Sequence, residues 1–74
     1  MDCVSLDADH LGHLFVVVDK YHNWVNKQLE RAELSTRDYG AEKYDIGYMQ
    51  GRLELGMLTA KDVEVIEGWE SKIE

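Results

Sequence analysis

Aromatic and basic side chains concentrate between residues 39 and 52, and their spacing is the strongest chemical signal in this sequence. Tyr44, Tyr48 and Arg52 follow one another at intervals of four residues, so a helix would place them on one face. Aromatic rings beside a cation are typical of energetically important protein–protein contacts, and they can also stack on a nucleotide-like ligand. Core packing, with the hydroxyl groups kept at the solvent edge, is the third interpretation of the two tyrosines.

An anionic small molecule would need further contacts besides this face. Lys43 and Tyr39 lie in the same stretch, and Lys20 lies in the preceding segment. For a ligand site, these groups would have to converge with Arg52 across an interface between subunits. The possible ligand contacts are therefore Lys20, Tyr39 and Lys43.

Two residues of the first segment have a structural and a functional interpretation. Trp24 lies beside an apolar stripe, so we expect core packing, or a partner anchor if its ring is exposed. His22 lies on the same stripe, three residues after Asp19, and we interpret it as a boundary histidine that is hydrogen-bonded to a neighbour. The predicted partner-binding residues are Trp24, Tyr44, Tyr48 and Arg52.

Metal binding and catalysis find little support in the sequence. His10 and His13 are three residues apart, close to Cys3 and two aspartates, but the set lacks a recognised metal-ligand spacing. A helix start explains the aspartates without a metal ion. No nucleophile elbow, P-loop, zinc-protease or dinucleotide motif occurs. We therefore predict a protein without catalytic residues, cofactors or a metal site.

Length and charge limit the class of protein further. The 74 residues include eight basic and fifteen acidic side chains, a net charge of −7, which argues against binding to nucleic acid or to an anionic membrane surface. The longest apolar run, Leu14 to Val18, is too short to span a bilayer. With a single cysteine and no signal-peptide pattern, we expect a soluble, cytoplasmic protein.

Apolar periodicity predicts an all-α fold, namely an antiparallel bundle of a long, a medium and a short helix. The first apolar stripe includes Phe15 and favours a helix over residues 6–34, with Ser5 as its N-cap. Two further helices are predicted over residues 37–57 and 60–73, and residues 1–74 form one helical domain. The connections are short, which favours antiparallel neighbours.

The second helix is apolar on two opposite sides. One stripe contains the tyrosines, and an aliphatic stripe lies half a turn away, composed of Ile46, Met49, Leu53 and Met57. A helix that packs on one partner needs a single apolar stripe. Either the first and third helices cover one stripe each, or the tyrosine stripe contacts another protein. A chain this small buries little surface and has no possible internal disulfide, so self-association is expected.

These observations predict a non-enzymatic helical protein that binds another protein, as an inhibitor or regulator, and forms a homo-oligomer, with a dimer as the first expectation. An oligomer that sequesters a nucleotide-like molecule is one alternative. A mimic of nucleic acid is another, because residues 38–74 carry nine acidic and four basic side chains. In its small size, its acidity and its lack of recognisable motifs, the chain resembles small phage or mobile-element accessory and counter-defence proteins. This resemblance is general, and it assigns no role to any residue.

Overall fold

Three helices joined by short connections make up the fold. The structure is a computed structural model that describes residues 3–73, and it contains α1 (Ala8–Glu30), α2 (Thr36–Leu55) and α3 (Ala60–Ile73). It is 80% helical, and no strand occurs in the part of the chain that is described. α1 packs against both other helices. The predicted all-α bundle of a long, a medium and a short helix is confirmed.

Each helix begins where a polar side chain satisfies free backbone N–H groups. Asp7 and Ser35 each accept a hydrogen bond from the backbone N–H three residues further on, at 2.7 and 3.1 Å. At α3 the cap is reciprocal. The backbone N–H of Asp62 donates to Thr59 Oγ1 at 3.2 Å, and that of Thr59 donates to Asp62 Oδ2 at 3.0 Å. This is a variant of the capping box, with aspartate in place of glutamate or glutamine.

The first helix is shorter than the prediction of residues 6–34. It begins after Asp7 rather than Ser5, and it ends at Glu30. The chain leaves the helix because Ala32 takes a left-handed conformation, with φ of 59°. Ala32 and the next residue then donate backbone hydrogen bonds into the last turn, at 3.0 and 2.9 Å. Glycine usually occupies this position, so an alanine there gives no sequence signal for the helix end.

The other two helices agree with the predictions of residues 37–57 and 60–73 to within two residues. Gly56 ends α2 in the left-handed conformation, with φ of 67°, as a C-terminal glycine is expected to do. Met57 therefore lies beyond the helix, and its side chain is exposed. Its predicted place on the aliphatic stripe of α2 is wrong.

The chain before α1 is partly anchored. The sequence predicts a loose arm over residues 1–4, of which Met1 and Asp2 lie outside the described residues. Cys3 pairs with Thr59 in an isolated backbone bridge, and the backbone N–H of Val4 donates to the carbonyl oxygen of Leu58 at 2.8 Å. The expectation is wrong for Cys3 and Val4, because helical periodicity carries no information about this pairing.

The core lies along α1 and receives side chains from all three helices. Tyr21 is at its centre, because its ring stacks between Trp24, with ring centroids 5.6 Å apart, and Trp69, at 4.5 Å. The buried apolar residues are Leu14, Val17, Val18, Tyr21, Val25, Ile46, Met49, Leu53, Leu58, Ile66 and Trp69.

Candidate protein-binding surfaces

The two apolar sides of α2 have different surroundings. The inner face, which we define as Ile46, Met49 and Leu53, is buried in the core. The outer face, which we define as Tyr44, Tyr48, Arg52 and Leu55, points away from it. Its apolar side chains are exposed by 75% at Tyr44, 46% at Tyr48 and 73% at Leu55.

Within the described chain, Tyr44, Tyr48 and Leu55 of the outer face are left exposed, whereas Arg52 contacts residues beyond α2. α1 packs on the inner face, and α3 packs mainly on α1. Of the two alternatives, coverage of the tyrosine stripe by the third helix is therefore wrong, and core packing is wrong for Tyr44 and Tyr48. The physical reason is the width of the apolar stripe on α1, which accommodates both other helices.

Arg52 is held in place on the outer face by three contacts. Its guanidinium carbon lies 4.7 Å from the centroid of the Tyr48 ring, a cation–π distance. Its Nη1 donates to the carbonyl oxygen of Met57 at 3.0 Å and lies 3.5 Å from Asp62 Oδ2. A partner would meet an aromatic–cation pair whose side chains have already lost rotamer freedom, which lowers the entropic cost of binding.

Glycines border the tyrosines on α2. A Cβ atom built at Gly40, Gly47 or Gly51 would meet no atom within 4 Å beyond its chain neighbours and the nearby backbone of its own helix. Packing within the described chain therefore gives no reason for these residues, although each weakens the helix by up to about 1 kcal/mol relative to alanine. Close approach of a second backbone and simple tolerance of glycine both remain as explanations.

Of the possible ligand contacts, Lys43 and Tyr39 lie together, and Lys20 lies apart from them. Lys43 Nζ donates to Nε2 of His22 on α1 at 2.8 Å and lies 5.7 Å from the ring centroid of Tyr39. The hydroxyl of Tyr39 donates to Oδ1 of Asn26, also on α1, at 2.6 Å. These groups join α2 to α1, and the predicted hydrogen-bonded role of His22 is confirmed. Lys20 lies elsewhere, in a depression between α1 and α3.

Trp24 is separate from the outer face of α2. Its ring is partly buried and stacks on Tyr21, on the side of α1 where α3 packs. The structure therefore brings together Tyr44, Tyr48 and Arg52 from the predicted partner-binding set, and it places Trp24 at a different surface.

The hydroxyl of Tyr21 lies in the core and has a raised pKa. Burial raises the pKa of its hydroxyl well above the ordinary value of 10.0, and the hydrogen bond to Glu42 Oε2 at 2.6 Å raises it further. A tyrosine with this raised pKa stays protonated at neutral pH. The geometry indicates a structural link between α1 and α2 rather than acid–base chemistry.

The two histidines near the start of α1 have different contacts. His13 Nε2 lies 3.0 Å from Glu70 Oε2 on α3, whereas the backbone N–H of His10 belongs to the cap at Asp7. Across residues 3–73, no group of three or more histidine, cysteine or acidic side chains could hold a metal ion.

A second surface, which the sequence interpretation missed, lies between α1 and α2. Phe15 and Val16 are 41% and 50% exposed, and with Asp19, Gln50 and Glu54 they line an open groove of about 420 Å³. We call it the acidic groove. The prediction that Phe15 belongs to the core stripe is wrong. A signal was present, since four consecutive apolar residues, 15–18, cannot all point to one side of a helix.

Comparison with protein-family models, with curated proteins and with solved structures finds no match to this chain. We therefore infer its function from its surfaces. None of the helices in residues 3–73 is long and apolar enough to cross a membrane.

Proposed function

We propose that this protein is a non-enzymatic binding module that recognises another protein through the outer face of α2. The observation that carries the proposal is the exposure of Tyr44, Tyr48 and Leu55 on one helix face, with the Arg52 guanidinium placed over the Tyr48 ring. Tyrosine and arginine are enriched among residues that dominate binding energy. Scattered exposed apolar residues are ordinary on a protein surface, but three on one face form a patch that needs explanation.

A second copy of the chain is the first partner that we propose. Gly51 lies within the tyrosine stripe and has open space where a Cβ would be, so a second helix could approach closely there. A homodimer would also bury apolar surface that a small domain without an internal disulfide needs for stability. A further protein, on which the chain would act as an inhibitor or regulator, would bind the same face and would compete with the dimer.

Light scattering during size-exclusion chromatography tests the dimer. The wild-type chain should elute as a dimer at micromolar concentrations, and Tyr44→Glu should elute as a monomer, because it places a carboxylate in the contact. Asn23→Glu is the matched control, since Asn23 is exposed on α1 and the change adds the same charge. A wild-type monomer would overturn self-association.

Capture experiments test recognition of other proteins by the outer face. Wild-type, Tyr44→Glu and Asn23→Glu chains would be immobilised and exposed to the same extract. A specific partner should be retained by the wild type and the control, and lost with Tyr44→Glu. Retention of the same proteins by all three chains would contradict a role for the outer face.

A further inference from the structure

The acidic groove combines an apolar floor with carboxylates at its rim. Phe15 and Val16 are the exposed large apolar residues of α1, and Asp19 and Glu54 stand on opposite helices beside them. Neither carboxylate forms an ion pair within residues 3–73. Both therefore keep their charge available, in a chain whose net charge is already −7.

We propose that the acidic groove binds an amphipathic helix of a partner protein, with apolar residues on one face and lysine or arginine beside them. The apolar residues would cover Phe15 and Val16, and the basic side chains would reach Asp19 and Glu54. This surface is distinct from the outer face of α2, so the inference does not depend on the dimer.

The shape and the backbone of the groove favour a helix as the ligand. A seam between two helices accepts the apolar face of a third helix by interdigitation of side chains. An extended peptide that adds a strand needs a free sheet edge, and the described chain offers none. The groove is open and holds about 420 Å³, which suits several side chains of one partner better than a small molecule enclosed on all sides.

The charge of the groove favours a partner of opposite charge. An acidic amphipathic helix would bring like charges against Asp19 and Glu54, which disfavours binding. A basic helix would be steered to the groove by the net charge of −7, and its association should weaken as salt screens that attraction. A second copy of this acidic chain is a poorer occupant for the same reason.

A designed peptide probe tests the proposal on the full chain. The probe is a fluorescein-labelled helical peptide with leucine at the i, i+3, i+4 and i+7 positions and lysine elsewhere. Its twin has glutamate in place of lysine. Fluorescence anisotropy should show binding of the lysine peptide, weaker binding at high salt, and no binding of the glutamate twin. Equal binding of the two peptides would overturn the proposal.

Two pairs of charge reversals separate the groove from the general acidity of the chain. The double variant Asp19→Lys with Glu54→Lys should bind the lysine peptide about tenfold more weakly, or weaker still. Glu30→Lys with Glu67→Lys is the matched control, because both residues are exposed, lie outside the groove and change the net charge equally. The affinity of the control variant for the lysine peptide should stay within about twofold of that of the wild type. Equal losses in both double variants would overturn the groove as the site.

The apolar floor is tested by Phe15→Ser and, separately, by Val16→Ser. Both residues are exposed enough that far-ultraviolet circular dichroism should report an unchanged helical fold. Each change should lower the affinity for the lysine peptide severalfold, and the oligomeric state of the chain should stay as in the wild type. Unchanged peptide binding by both variants would overturn the proposal. So would a changed oligomeric state, since it would assign the groove to a second copy.

Discussion

The inner and outer faces of α2 have similar apolar content but opposite environments. Leu53 is 3% exposed on the inner face, and Leu55, two residues further on, is 73% exposed on the outer face. Both belong to apolar stripes of the same helix. Apolar periodicity therefore identifies a surface that needs a contact, whereas the neighbouring helices decide whether that contact lies inside the chain.

The arrangement of α3 explains the difference. Its apolar stripe meets the far flank of α1, where Trp69 stacks on Tyr21 with an interplanar angle of 2°. The stacked rings and their burial favour packing on α1 over packing on the tyrosine stripe of α2. We therefore expect the inner face of α2 to determine folding and the outer face to determine association.

Leu53→Ala should have the largest effect on folding. Leu53 is buried among core side chains, so its truncation removes apolar contacts and leaves a cavity, which lowers the free energy of unfolding by about 2–4 kcal/mol. Urea denaturation followed by circular dichroism measures the loss. A loss below about 1 kcal/mol would show that the inner face is not a packed core.

Tyr21→Phe should have the second-largest effect, and the size should depend on pH. At neutral pH the variant loses the hydrogen bond to Glu42, which lowers the free energy of unfolding by about 1–2 kcal/mol. The raised pKa of Tyr21 means that the stability due to its protonated hydroxyl is complete below pH 10.0, its ordinary pKa, and is lost as pH rises above that value.

The difference between the wild type and Tyr21→Phe should therefore shrink in alkaline solution. Other tyrosines and the lysines titrate in both chains, so the variant itself is the control for their contribution. Urea denaturation at neutral pH and at several pH values above 10.0 would measure this difference. Parallel stability profiles of the two chains would contradict the link between Tyr21 burial and its pKa.

Local features of the fold were predictable from the sequence. Apolar periodicity acts over a few residues, and it predicted the number of helices and the inner face of α2, whereas the N-cap of α1 is Asp7 rather than the predicted Ser5. The end of α1 was missed because Ala32 adopts a conformation usual for glycine. The pairing of Cys3 with Thr59 was missed because it joins distant parts of the chain.

The candidate surfaces were predictable only in part. The four-residue spacing of Tyr44, Tyr48 and Arg52 indicated one face, but spacing cannot state whether a neighbour covers it. The acidic groove was missed because Phe15 fits a stripe wide enough to include it. Its exposure follows from where α2 lies against α1, which is a tertiary property.

Gly51→Ala should change folding and association in opposite directions. The new methyl group enters open space, and alanine is the better helix former, so the free energy of unfolding should rise by about 0.5–1 kcal/mol. The same methyl group should weaken the dimer, because it separates the two helices at the tyrosine stripe. Denaturation and analytical ultracentrifugation measure the two quantities.

Gly68→Ala is the matched control for that substitution. Gly68 lies in α3, is exposed and also has open space at its Cβ position. It should give a similar gain in stability with no change in association. A stable Gly51→Ala chain that associates as tightly as the wild type would show that close backbone approach does not explain this glycine.

Leu55→Ala should have the smallest effect on folding and a clear effect on binding. Its side chain is exposed near the end of α2, and alanine favours the helix, so the free energy of unfolding of the monomer should change by less than about 0.5 kcal/mol. In the proposed dimer the same leucine would be buried, so its truncation should weaken association by about 1–2 kcal/mol, or about fivefold to thirtyfold.

Together, Leu53→Ala and Leu55→Ala compare the same substitution on the two faces of one helix. If Leu55→Ala destabilised the monomer as much as Leu53→Ala, the outer face would be part of the core and the distinction between the faces would fail.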